Sequence, residues 1–205
     1  MWQRGPVSGI DALVLDLDGV VRHFDPNHEA ELCRRHGLEP GAIAAAAYAP
    51  ERLQPVITGR TTKAEWIAAV GQALGVPEAA EAWGRSPTRL DDDVLAVVDE
   101  VRATGRRVVI LTNGTDTIDE ELAALDVARR FDAVFNSAVI GHAKPDVRAF
   151  RHVLDALDLP PARVAFADDS PAKLAGAGEL GMPALAFVDA ASLRAWLVAL
   201  EVLGA

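Results

Sequence analysis

The run LVLDLDGVV at residues 13–21 places two carboxylates, Asp16 and Asp18, two residues apart in apolar surroundings, with Gly19 directly behind them. Burying an unpaired carboxylate costs several kcal/mol, so this spacing calls for a compensating charge. Three further segments supply polar groups: Thr112 and Asn113 after VVIL, Lys144 in GHAKPD, and the pair Asp168 and Asp169 in FADDS. Carboxylates gathered in one crevice repel one another and raise their own pKa values, which implies a cation among them. A hard divalent ion with oxygen ligands, such as Mg²⁺, fits that demand, and Lys144 adds a second positive charge. Two carboxylates at the mouth of one strand can divide the work, one as nucleophile beside the metal and the other as proton donor. The Thr112 hydroxyl, Lys144 and nearby backbone N–H groups then make a cradle for the oxygens of a transferring phosphoryl group.

Such chemistry needs elements that bring the four segments together. Apolar runs recur at ALVLDL, RRVVILT, DAVFNS, RVAFAD and ALAFVD, with helical patterns between the later ones. Short buried strands alternating with helices predict a Rossmann-like α/β fold, a parallel sheet flanked by helices. Ligands in such sheets bind at the carboxyl ends of the strands, and each polar segment follows one of the runs. Helical periodicity is clear after Pro145, where Val147, Phe150, Val153, Leu154 and Leu157 share one face. Val94, Leu95, Val97, Val98 and Val101 mark another helix that faces the core. Asp168 to Pro171 also reads as a helix start, with Ser170 as N-cap and Pro171 in the first turn.

From about Arg22 to Thr88 no strand is predicted; HEAELCRRHGL, GAIAAAAYA and TTKAEWIAAVGQALG read as helices punctuated by Gly and Pro. The chain therefore divides into a core of residues 1–21 and 89–205 and a helical insertion of residues 22–88.

The net charge of −10 on 205 residues, with no long basic run, argues against a general nucleic-acid partner. No stretch approaches the ~18 apolar residues of a membrane span, which predicts no membrane partner. A single cysteine, Cys33, cannot form an intrachain disulfide; it reads as a buried small residue in a reducing, cytoplasmic compartment. The sequence does not set the oligomeric state.

DLDGV at 16–20, LTNG at 111–114, AKPD at 143–146 and FADDS at 166–170, in this order, resemble the four motifs of the haloacid dehalogenase superfamily. The insertion looks like that superfamily's small helical cap, and GHAKPDVRAF is similar to the third motif of its sugar-phosphatase-like members. The resemblance implies a Mg²⁺-dependent phosphatase of a small phosphorylated substrate. Asp16 would carry an aspartyl-phosphate, and Asp18 would protonate the leaving group, then activate water, with its backbone carbonyl on the metal. Thr112 and Lys144 would hold phosphate oxygens with Asn113 nearby; Asp169 would ligate the metal directly, Asp168 in support. The dehalogenase branch lacks the second aspartate, so Asp18 favours phosphoryl transfer. Alternatives are a phosphomutase, or a non-catalytic phospho-accepting or ligand-binding module. One departure is Lys173, where relatives with an acidic pair often carry asparagine.

Other residues invite blander readings. The five histidines show no metal-ligand spacing, although His23 and His142 lie near motifs. Trp66 and Trp83 read as the insertion's small core, with a substrate-facing wall as the alternative, and Trp2 and Trp196 as packing or an interface. Among Arg22, Arg52, Arg60 and Lys63, one could grip the distal part of a phosphorylated substrate.

Overall fold

The computed structural model describes residues 9–204; Trp2 lies outside them. Among the described residues seven strands form: β1 (Ala12–Leu15), β2 (Arg22–Phe24), β3 (Thr88–Leu90), β4 (Arg107–Thr112), β5 (Ala133–Asn136), β6 (Val164–Asp168) and β7 (Ala184–Ala186). Five of them make an all-parallel sheet in the order β5-β4-β1-β6-β7. The five apolar runs of the sequence are these strands, and the Rossmann-like expectation holds. β1 sits between β4 and β6, with Leu15 paired to both Ile110 and Ala167. The carboxyl ends of three motif-bearing strands therefore lie side by side.

Alternation along β1 sends Leu13 and Leu15 to one face and Ala12 and Val14 to the other, so each face needs its own cover. On the Leu13 face, α6 (Asp92–Ala103) contributes Val94, Leu95, Val97, Val98 and Val101, while α7 (Ile118–Ala124) and α11 (Ala190–Ala199) complete the layer. Asp91 caps α6, accepting from the Val94 N–H at 3.0 Å. Trp196 packs against this layer. On the opposite face lie α9 (Val147–Leu157), bringing Phe150, Val153, Leu154 and Leu157, and α10 (Ala175–Leu180). A short α8 (Ser137–Ile140) follows β5.

The insertion holds α1 (His28–His36), α2 (Ala42–Ala47), α3 (Pro50–Ile57), α4 (Lys63–Leu74) and α5 (Pro77–Trp83) around a separate core of Leu32, Cys33, Ile43, Val56, Ile57, Trp66 and Val70. A capping box between Thr62 and Glu65 starts α4, and left-handed glycines end α1 and α4. The expectation of no strand between Arg22 and Thr88 needs correction. β2 and β3 form an antiparallel ribbon, Phe24 opposite Thr88, on which the chain leaves the core and returns. Each strand has only three residues, and their pairing spans the whole insertion, so no local period announces them.

Candidate active site

Asp16 follows β1 and is buried, and its N–H bonds the Ala167 carbonyl of β6 at 2.9 Å. Just beyond, the chain doubles back: Arg22 N–H bonds the Leu17 carbonyl and Gly19 N–H bonds the Arg22 carbonyl, each at 2.8 Å. Gly19 turns at φ +91°, and a Cβ there would lie 2.2 Å from Asp169 Oδ2. Only glycine allows both that turn and that approach.

Lys144 and Asp168 are also buried. Lys144 Nζ lies 2.9 Å from Asp16 Oδ1 and 2.6 Å from Asp168 Oδ2. Lys173 Nζ reaches the other oxygen of Asp16 at 2.9 Å and lies 3.6 Å from Asp168 and 3.9 Å from Asp169. Burial pushes the Asp16 carboxyl up, but the two ammonium groups overcome it and hold it below the usual range. Burial and the neighbouring Asp16 charge push Asp168 the other way, upwards.

Oxygens of Asp16, Asp168 and Asp169 lie within 4.8 Å of one another, an oxygen-only donor set that could hold Mg²⁺. The Asp18 side chain stands outside this trio. Its oxygens accept from Arg22 Nε at 2.6 Å and Nη2 at 3.1 Å, and burial pushes its pKa up despite that ion pair. Of the proposed metal set, Asp18 therefore has only its main chain left to offer, while the Asp168 carboxylate stands among the donors.

Thr112 ends β4 and is buried. Asn113 has a different engagement: its side chain accepts from the Lys144 N–H at 2.8 Å and donates to the Lys144 carbonyl at 2.9 Å. It clasps the loop that delivers Lys144 and also lines the cavity beside Asp18. Ser170 makes no side-chain cap; the Asp168 carboxylate takes its N–H at 2.9 Å, and a 3₁₀ turn over Pro171–Leu174 replaces the expected helix start. His23 bonds the carboxylate of Asp91, the N-cap of α6, at 3.0 Å.

Sequence reasoning missed Glu121 on α7. Its carboxylate takes Arg22 Nη1 at 2.7 Å, Lys63 Nζ at 2.7 Å and the Thr117 hydroxyl at 2.6 Å. Burial works against its charge, yet these donors hold it at about 2. Arg22 had a faint sequence signal, since it stands four residues after Asp18 beside a motif; Glu121 is ninety-nine residues from Arg22 and had none.

The chain matches the family described as "Hydrolase: haloacid dehalogenase-like hydrolase" over residues 10–181. It is 33% identical over 141 residues to a phosphoserine phosphatase of Thermus thermophilus, covering 65% of this chain and 53% of that protein, about half its length. A sesquiterpene phosphatase of Aspergillus oryzae is 24% identical over 183 residues, 87% of this chain and 90% of the relative. Among solved structures, a family enzyme of Bacteroides thetaiotaomicron in complex with magnesium and inorganic phosphate superposes with a TM-score of 0.70 at 20% identity, covering 86% of this chain and 93% of that one. With the family match running from before β1 to the end of α10, and so through all four motif segments, this chain belongs to the haloacid dehalogenase-like hydrolases.

Proposed function

We propose that the protein is a Mg²⁺-dependent phosphatase of a small phosphorylated metabolite, working through an aspartyl-phosphate on Asp16. The observation that carries this reading is the state of Asp16: a buried carboxylate kept ionised by Lys144 and Lys173 at the end of the central strand. A carboxylate so placed is a nucleophile shielded from bulk water. One of its oxygens attacks phosphorus, the bond from phosphorus to the alcohol oxygen breaks, and Asp18 delivers its proton to that oxygen. The raised pKa of Asp18 suits the acid. In the second half, the Asp18 carboxylate takes a proton from water, hydroxide attacks phosphorus, and phosphate leaves as Asp16 is restored. Thr112 and Lys144 hold the phosphoryl oxygens. Asp16, the Asp18 carbonyl and Asp169, with Asp168 in support, would hold Mg²⁺, which supplies positive charge against the phosphoryl group.

Residues 22–88 act as the cap over the core of residues 1–21 and 89–205. Contacts that close it are the Lys63 N–H to Asp116 at 2.7 Å, the Lys63 to Glu121 ion pair, and Gly59, where a Cβ would lie 2.0 Å from the Ala138 carbonyl. Closure excludes water from the phosphoryl group.

The test is phosphate release from a panel of phosphomonoesters with and without Mg²⁺, beside Asp16→Asn. Mg²⁺-dependent release that falls about 10⁴-fold or more in the variant is expected. Unchanged turnover in Asp16→Asn overturns the mechanism, and transfer to an added sugar instead of water replaces the phosphatase with a phosphomutase.

A further inference from the structure

Above Asp18 the insertion and the core enclose a cavity of about 330 Å³. Its walls include Phe24, Tyr48, Ile57, Trp66, Trp83 and Ile118. The chain has only six Phe, four Trp and one Tyr, yet four of these aromatics meet here. Trp83 stands edge-on to both Tyr48 and Trp66, with centroids 6.0 and 5.3 Å away. Trp66 anchors this wall by donating its indole N–H to the Ala47 carbonyl at 3.0 Å. Trp66 and Trp83 thus belong to the insertion's core and to the chamber at once. Phe24 and Tyr48 remain 48% and 56% exposed, large apolar surfaces left open where a ligand would cover them.

The cations of the chamber are already engaged. Its two cations, Arg22 and Lys63, both pair with Glu121, and Arg22 also pairs with Asp18. Of its other acids, Asp25 accepts from the Asn27 N–H and Glu29 from the Ala44 N–H. A second anionic group on a substrate, a carboxylate or another phosphate, would find no unpaired cation among the chamber's described residues and three carboxylates to repel it.

We propose that this chamber selects the leaving group, and that the substrates are monophosphates of uncharged, predominantly apolar alcohols that fill the aromatic space beside Asp18. The inference rests on the phosphatase reading and narrows it, away from the sugar-phosphate class that the third motif resembles. Volumes near 300 Å³ mark the small end of ligand pockets, suited to one ring or a short branched chain.

Three series test it on the full-length protein. Along straight-chain alkyl phosphates, kcat/KM rises about fourfold per methylene, about 0.8 kcal/mol, and stops rising when the chamber is full. Phosphoserine and sugar bisphosphates run at least about tenfold below neutral esters of similar size. Choline phosphate runs below its uncharged isostere, 3,3-dimethylbutyl phosphate. Tyr48→Ser, at the exposed rim, lowers the slope of the alkyl series, and Glu121→Gln narrows the gap to the anionic esters by freeing Lys63.

A flat alkyl series with ready hydrolysis of acetyl phosphate overturns the substrate class and leaves the phosphatase intact. Preference for choline phosphate likewise overturns it, in favour of a cation held by aromatic faces. Calorimetry with unreactive alkylphosphonates separates binding from turnover: tighter binding with chain length, without hydrolysis of any ester, keeps the chamber's ligand class and removes the phosphatase reading.

Discussion

At the sheet edge, Asp16, Asp168 and Asp169 face the ammonium groups of Lys144 and Lys173, three carboxylates against two cations. Across the chain's turn at Gly19, Asp18 and Glu121 face Arg22 and Lys63, two against two. The first group is short of positive charge, and the second is complete. A carboxylate cluster that its own lysines do not neutralise attracts a further cation or holds some of its acids protonated. A balanced one attracts no further cation, and leaves recognition to apolar surface. On the proposed function, the first group takes the charged end of a phosphate ester and the second borders its leaving group.

Removing positive charge from the deficient group has the largest effect on folding. Lys144→Met strips a fully buried ammonium from Asp16 and Asp168 and costs about 3–5 kcal/mol in urea unfolding. A loss below 1 kcal/mol would mean that Lys173 alone balances the cluster, and the contrast between the two regions would collapse. Glu121→Gln unbalances the complete group at a smaller cost, about 1–3 kcal/mol, because Arg22 keeps Asp18 as partner. Here pH sharpens the comparison. Glu121 ordinarily titrates near 4.5 and is depressed to about 2 in the fold, so its contribution is complete above pH 4.5 and fades as pH falls towards 2. The stability gap between wild type and Glu121→Gln should shrink across that window in thermal melts; a gap independent of pH would rule out the charge as its source.

The smallest effect concerns Lys173, whose ammonium lies within 4.0 Å of all three members of the metal-competent trio. It stands where a metal ion would compete for the same oxygens. Lys173→Asn is expected to tighten Mg²⁺ binding by about tenfold in calorimetry, a change of about 1.4 kcal/mol. Weaker binding in the variant would show instead that the lysine helps to hold the carboxylates in place.

The sheet was legible because each strand is a contiguous apolar run, and the acids and Lys144 because each closes or follows one. Hydrophobic period and motif order are properties of neighbours in sequence. What escaped depends on distant partners: the β2–β3 ribbon, the Asn113 clasp on Lys144 and the Glu121 ion pairs all join residues more than thirty positions apart. Lys173 was visible as an unusual residue, but its reach to Asp16 follows from the short 3₁₀ turn after Ser170, where a helix was expected. Trp66 and Trp83 fall in the insertion and suit its small core, and the assembled cavity gives them the substrate-facing side that sequence alone could not fix.

The β2–β3 ribbon makes the helical insertion a plug with a fixed socket. Outgoing and returning chains are hydrogen-bonded neighbours, Arg22 against Leu90 and Phe24 against Thr88, so their separation is set by the ribbon and not by what lies between. Helices can be lengthened, replaced or transplanted from a related chain between Phe24 and Thr88 while β1 keeps its register with β4 and β6. Tyr48, Ile57, Trp66 and Trp83 of the chamber's wall travel with the plug, while Phe24 on the ribbon, Ile118 and the acids and lysines of the sheet edge stay behind. Exchange at this ribbon is thus a route by which one hydrolytic core can acquire new leaving groups without rebuilding its chemistry.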